Sequence, residues 1–351
     1  MKKFVYLPIF IFIAIVTWIY WSSSLELDNT ITFLKIKSNF AKDIVIRPNN
    51  RICQNHPILI ILVTSYVGHI ELRSAHRKAM PQELLKSMNI TRVFLLAKIP
   101  QTDTYINQES VEDESHTFGD ILQGDFLENY RNLTYKHLMG LQWASTVCKN
   151  ASFVLKVDDD TVFNLERTYS LLLNESLDNA ILGYMLNNTK PKRNKRNKWY
   201  VTWDEYPRND YPKYLSGWYY ITTPKVAGKL CDEAMYHPKF WIDDILVTGL
   251  LTEALNIKLR QLPGYYWLEY YELLECCIND MIKQHVICEY VVGPNGGRNN
   301  LIYEFNEALR NCDSQNCTNR ATNKPLKESC VAHRDRKIYS DGKAEVYRLK
   351  L

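Results

Sequence analysis

Three short apolar runs organise the first half of the chain. Ile58-Leu-Ile-Ile-Leu-Val63 ends in Thr64-Ser65, and Val93-Phe-Leu-Leu-Ala97 and Phe153-Val-Leu-Lys-Val157 repeat the pattern. Continuous apolar runs of this length predict strands buried on both faces. Between them, residues 71–88 and 126–147 carry apolar residues at helical spacing, including Leu127, Tyr130, Leu138, Leu141 and Trp143. Strands alternating with helices predict an α/β sheet, mostly parallel at its start, and such sheets take ligands beyond the carboxyl ends of their strands.

The N-terminal pattern is different. From Phe4 to Trp21 the only polar residue is Thr17, with Lys2 and Lys3 before the run and Ser22, Ser23 and Ser24 after it. At about 1.5 Å per residue this spans about 27 Å, which matches the hydrocarbon core of an early secretory membrane. A signal anchor over 4–21 is expected, with residues 1–3 cytoplasmic and the rest lumenal. A cleaved signal peptide is the alternative; bulky Trp18, Tyr20 and Trp21 stand where a cleavage site needs small residues. Residues 22–52 are polar and aperiodic and read as a stem, leaving a catalytic body over 53–310 and a Cys-containing basic tail over 311–351.

Composition adds a compartment and removes a partner. The 351 residues are 46% hydrophobic and 23% charged, and the net charge of +4 is carried by residues 311–351, so nothing argues for nucleic acid. Nine cysteines in an oxidising lumen should mostly pair, leaving an odd one free or bridged to another chain, and their spacing is not that of a zinc site. Cys312, Cys317 and Cys330 suggest a tail stapled to the body. Acceptor motifs for N-linked sugar occur at Asn89, Asn132, Asn150, Asn174, Asn187 and Asn316.

The candidate chemistry follows the third apolar run. Asp158, Asp159 and Asp160 stand at its exit, before Thr161-Val-Phe163. Three adjacent carboxylates repel one another, and a hard divalent cation would compensate them. A solvated acidic turn and a helix N-cap are the alternatives. Asp243 and Asp244 form a second acidic pair, with capping of a following helix as its plainer role. Arg73 and Arg77, four apart on one helical face, suit either a diphosphate or uridine, or plain solvation. Six of the nine residues from Lys190 to Lys198 are basic, which fits a solvated loop or a lid over a diphosphate. Trp199, Trp203, Tyr211, Tyr214, Trp218 and Tyr219 are candidates for stacking on sugar or for the core.

These stretches resemble a known family. Gly119-Asp-Ile-Leu-Gln-Gly-Asp-Phe-Leu-Glu-Asn-Tyr-Arg-Asn-Leu-Thr-Tyr-Lys136, then Trp143, Cys148 and Phe153 to Phe163, is similar to the core signature of the β-1,3-galactosyltransferase and β-1,3-N-acetylglucosaminyltransferase family. Arg73-Ser-Ala-His-Arg77, Lys198-Trp-Tyr-Val with Tyr211-Pro-Lys-Tyr-Leu-Ser-Gly217, and Ile242-Asp-Asp-Ile-Leu-Val-Thr-Gly249 resemble three further motifs in the family's order. Together they cover about residues 56 to 260.

The resemblance implies a GT-A fold, Rossmann-like, in a single-pass type II Golgi membrane protein that uses Mn²⁺ or Mg²⁺ and a UDP-sugar. It implies Asp160 as metal ligand with Asp158, and Asp158, Asp159, Lys156, Arg73 and Arg77 around the nucleotide. Asp244 becomes the catalytic base beside Asp243, which replaces the family's usual Glu. The expected reaction is inverting transfer of galactose from UDP-galactose in β-1,3 linkage to a glycan of a glycoprotein or glycolipid. UDP-N-acetylglucosamine as donor, or a silent lumenal sugar-binding protein, are the competing readings. Met80 stands where the family commonly has Trp, and Trp218 where a second Gly is usual. The family's late metal-binding His has only His285 as a nearby candidate, and its surroundings read as ordinary surface.

Overall fold

The computed structural model describes residues 15–18, 43–49, 51–173, 175–266, 270–336 and 345–350. The expected anchor over 4–21 lies outside these apart from Ile15 to Trp18. Among the described residues no helix is long and apolar enough to cross a membrane. The chain order is β1 Ile44–Ile46, β2 Leu59–Thr64, α1 Ile70–Ala79, α2 Gln82–Ser87, β3 Ile90–Lys98, α3 Gln108–Phe118, β4 Ile121–Leu127 and α4 Leu133–Thr146. It continues with β5 Phe153–Asp158, β6 Thr161–Phe163, α5 Leu165–Leu172, β7 Ala180–Leu186, β8 Tyr214–Thr222 and α6 Pro224–Ala234. A π-helical segment, Ile245–Leu250, runs into α7 Leu251–Ala254 and β9 Lys258–Gln261. Then come α8 Tyr271–Gln284, β10 Val292–Pro294, α9 Leu301–Ser314 and α10 Leu326–Ser329, with a final hairpin β11 Val331–Arg336 and β12 Glu345–Lys350.

Eight strands form one mixed sheet in the order β1-β4-β3-β2-β5-β8-β7-β9. Its centre, β4-β3-β2-β5, is parallel, as the apolar runs predict, and β8 joins β5 antiparallel. Helices cover both faces, because β2, β3 and β5 are apolar on both. Ile60, Leu62, Leu95, Val154 and Tyr220 pack with α4, α6 and the π-segment. Leu59, Ile61, Val63, Leu155, Val157 and Tyr219 pack on the other side with α1, α8 and α9. Alternation along β5 therefore sends Lys156 to the α4 side and Val157 to the α1 side.

Two expected boundaries move. The stem was expected to run to residue 52, yet β1 pairs with β4 and closes the sheet edge, and Cys53 is bonded to Cys148 at the end of α4. Backbone pairing and a disulfide bind this segment into the body from about residue 43. The tail does not begin at 311, since α9 runs through it and Cys312, Leu326 and Cys330 are buried in the core. Cys276–Cys330 staples it to the body as expected, Cys312–Cys317 closes a loop within it, and Cys277–Cys288 is the fourth bridge. The odd cysteine is Cys231, free and buried, so it has no access to another chain.

Of the sugar-acceptor asparagines, Asn150, Asn187 and Asn316 are exposed, and Asn174 lies outside the described residues. The Asn89 amide donates to His56 O, and Asn132 is tied to Leu127 O and Lys239 through both ends of its amide.

Candidate active site

The parallel register places Thr64 of β2 beside Asp158 of β5 at the carboxyl end of the sheet. Below Asp158, Lys156 is almost fully buried, and its Nζ donates to Asp158 Oδ1 at 2.6 Å and to Gly217 O at 2.5 Å. Gly217 belongs to β8, and a Cβ there would stand 3.3 Å from Asp244 Cβ and 3.5 Å from Lys156 Nζ. The two acidic motifs, some eighty residues apart in sequence, thus converge on one lysine and one glycine.

Asp243 and Asp244 are held from two sides. Thr134 of α4 donates to Phe240 O at 2.6 Å, which fixes the approach to the pair. Asp244 caps the π-segment by accepting from Ile245 N at 2.8 Å. Thr248 Oγ1 donates to Asp244 O and accepts from Leu215 N, tying the segment to β8. Capping, the plainer role for the pair, is thus real for Asp244 and leaves its second oxygen for other work. π-turns inside helices commonly mark functional positions.

The electrostatics divide the acids. Burial works against ionisation of Asp243, but the bond from His137 and the charge of Lys156 outweigh it and hold this carboxyl well below its ordinary range. Burial and the Asp243 charge push Asp244 up to about 7. Desolvation, then Asp158 and Asp159, push Asp160 up to about 6, and desolvation outweighs Lys156 to raise Asp158 as well. Asp158 is the common neighbour, acting on both Asp160 and Asp244.

Asp160 stands at the strand exit, and among the described residues no basic side chain pairs with its carboxylate. Asp158 gives one oxygen to Lys156. Such a set offers hard oxygen ligands in excess of its one buried positive charge, Lys156, which suits a divalent cation bound through one or two carboxylates and substrate phosphates. The chemistry of these donors fits the expected metal.

Four expected contacts take a different form. Arg73 is fully buried and spends all five N–H donors on Glu114 Oε1 and Oε2, Ser65 Oγ, Tyr66 O and Val67 O. It fixes the loop after β2 and has no donor left for a diphosphate. Arg77 pairs with Asp120 and Glu114 and lies over the rings of Phe94 and Phe118, so it too is internal. Asp159 accepts from Ser65 Oγ at 2.7 Å and His69 Nδ1 at 2.9 Å, which anchors it in the same loop. Lys156, expected at the nucleotide, is the buried counter-ion of the acidic cluster instead. His285 is exposed, in left-handed conformation at the end of α8.

Other candidates separate by exposure. Trp199 and Trp203 are 47% and 55% exposed, and Trp199 Nε1 donates to the Tyr130 hydroxyl at 3.0 Å. Burial raises the Tyr130 pKa, with Asp243, Asp244 and Asp158 adding to it, so the Trp199–Tyr130 pair borders the acids. Tyr211 and Tyr214 are buried with Phe240, and Tyr219 lies in the opposite layer, bonded to Thr168. The basic run is ordered by Arg193, which donates to Val201 O, Thr202 O, Tyr206 O and Arg208 O. Met80 is fully buried at the end of α1.

The sequence reading missed His137, which meets Asp243, Tyr220, which meets His137, and the buried Lys136–Glu128 pair, which joins β2 to β4 through Ser65 O. An ionisable residue inside an apolar helix or strand was the available signal.

A family model described as Galactosyltransferase matches residues 71–263. Beta-1,3-galactosyltransferase 2 of Homo sapiens is 30% identical over 292 residues, which is 82% of this chain and 66% of that protein. Beta-1,3-galactosyltransferase 1 of Mus musculus is 34% identical over 250 residues, 70% of this chain and 74% of that protein. The chain thus spans about two thirds of the former relative's length. Among solved structures, the apo form of the WbbM bifunctional glycosyltransferase superposes with a TM-score of 0.35 at 11% identity, over 61% of this chain and 40% of that one.

Proposed function

The chain belongs to the galactosyltransferase family, and from that premise we propose that it transfers a hexose from a UDP-sugar to a glycan hydroxyl with inversion, forming a β-1,3 linkage. UDP-galactose is the proposed donor, the GT-A fold the proposed frame, and the lumenal face of the Golgi membrane the proposed place. Four disulfides support a secretory compartment. The observation that carries the reading is the convergence of Asp158 and Asp244 on Lys156 and Gly217.

Each acid has a task suited to its surroundings. Asp160, with Asp158, would hold Mn²⁺ or Mg²⁺, which when bound supplies Lewis-acid stabilisation of the charge on the departing diphosphate. Asp244 takes the proton of the attacking hydroxyl, a role that needs a proton affinity near neutrality, and its burial beside Asp243 provides one. Lys156 keeps the paired carboxylates from repelling one another apart. The exposed Trp199 offers an apolar face to an acceptor sugar near these acids.

The test is UDP release by the full chain with a panel of UDP-sugars and glycan acceptors, with and without Mn²⁺. Metal-dependent release that is greatest with UDP-galactose supports the proposal. Preference for UDP-N-acetylglucosamine replaces the donor, and no release from any donor rejects the enzyme reading in favour of a silent sugar-binding protein.

A further inference from the structure

We infer that His137 and Tyr220 are positioning residues, a buried donor chain that clamps the Asp243 carboxylate and thereby gives Asp244 a fixed negative neighbour. The inference deepens the proposed role of Asp244 and rests on it. His137 lies on α4, Tyr220 on β8 and Asp243 before the π-segment, so three elements meet at one ring. His137 Nδ1 is 2.8 Å from Asp243 Oδ2, and Nε2 is 2.5 Å from the Tyr220 hydroxyl. The His137 side chain is 1% exposed and Tyr220 is fully buried.

The direction of the chain follows from the chemistry of its members. Burial keeps the Tyr220 proton on its oxygen and pushes His137 toward the neutral ring, while the bond to Asp243 opposes it. A neutral imidazole has one donor and one acceptor. Its acceptor must be Nε2, because the tyrosine can donate there, and its donor is then Nδ1, facing a carboxylate that can only accept. One tautomer satisfies all three groups, and Asp243 stays ionised at a fixed place. The other groups bearing on the acidic pair are Lys156 and Asp158 of β5, Tyr130 before α4, Tyr211, and Tyr214 of β8. Cys231 of α6, near Tyr220, is held as the neutral thiol by burial.

The test has two arms. In the full chain labelled with ¹⁵N-histidine, the His137 resonances, assigned by their loss in His137→Gln, should be those of the neutral Nδ1–H tautomer from pH 5.5 to 8. An imidazolium or an Nε2–H tautomer in that range overturns the inference whether or not the enzyme turns over. The second arm is the pH profile of kcat/KM. Without the clamp the proton shared by the two carboxyls can sit on Asp243, which frees Asp244 at lower pH. His137→Phe should move the acid limb down by about one pH unit and lower kcat about tenfold, with UDP affinity retained. Tyr220→Phe should move it the same way by less. His137→Gln should keep the wild-type limb, since its amide presents N–H to Asp243 and C=O to Tyr220. An acid limb unmoved in both His137→Phe and Tyr220→Phe contradicts the inference. Absence of UDP release by the wild type would instead reject the proposed reaction, and the tautomer would still decide the clamp.

Discussion

Asp244 carries a conflict between stability and reactivity. Its carboxyl is pushed up to about 7 from an ordinary value of 3.8, by burial first and by Asp243 second. The linkage has a definite sign. Well below pH 3.8 both folded and unfolded chains hold the proton and the group is neutral in its effect; as pH rises toward 7 the unfolded chain releases its proton first and gains. The cost is complete above the folded pKa. Asp244→Asn never bears it, so the variant should melt higher than wild type at pH 8, by the equivalent of about 2 kcal/mol after allowance for solvent near the site, and nearly equally at pH 3. Differential scanning calorimetry at the two pH values checks this. Residue-level reading of the sequence was uneven for physical reasons. The sequence drew notice to Asp158 to Asp160 and to Asp244 because carboxylates framed by apolar residues need an explanation. Arg73 and Arg77 were misread because helical spacing does not say which way a face turns, and here it turns inward onto Glu114 and Asp120.

At the scale of elements, β2, β3 and β5 were legible because their apolar runs are continuous. β4 was not, since Gln123, Gly124 and Asp125 interrupt it; Gln123 is fully buried because it bonds to Gln108 and to Ala97 O. β8 was missed likewise, although it carries Gly217 and Tyr220. The His137–Tyr220 contact joins positions 83 apart and leaves no local pattern. Gly217 shows what β8 does for the site. A methyl group there meets Asp244 Cβ at 3.3 Å, tighter than an ordinary contact, so Asp244 must shift. Transfer by Gly217→Ala should fall at least tenfold, about 1.4 kcal/mol in transition-state energy, while UDP affinity and the melting temperature change little. Steady-state kinetics beside calorimetric UDP binding would check it, and wild-type transfer would separate Gly217 from the reacting groups.

For the molecule as a whole, the sheet acts as a bracket. Its parallel centre ends in the Asp158–Asp160 turn, its antiparallel extension brings Gly217 alongside, and the helical layer over one face delivers Asp243 and Asp244. The layered α/β architecture was legible from the alternation of strands and helices, whereas the antiparallel half was not, because nothing in its sequence fixes strand direction. The proposed division of labour runs between the two ends of this bracket. It is tested most directly by measuring UDP binding in Mn²⁺ and sugar transfer on the same preparations of Asp160→Ala and Asp244→Asn. Asp160→Ala should lose the metal-dependent part of UDP affinity; Asp244→Asn should keep UDP affinity and lose transfer by about 10² to 10⁴-fold. Wild-type turnover in Asp244→Asn, or undiminished UDP affinity in Asp160→Ala, would contradict the account.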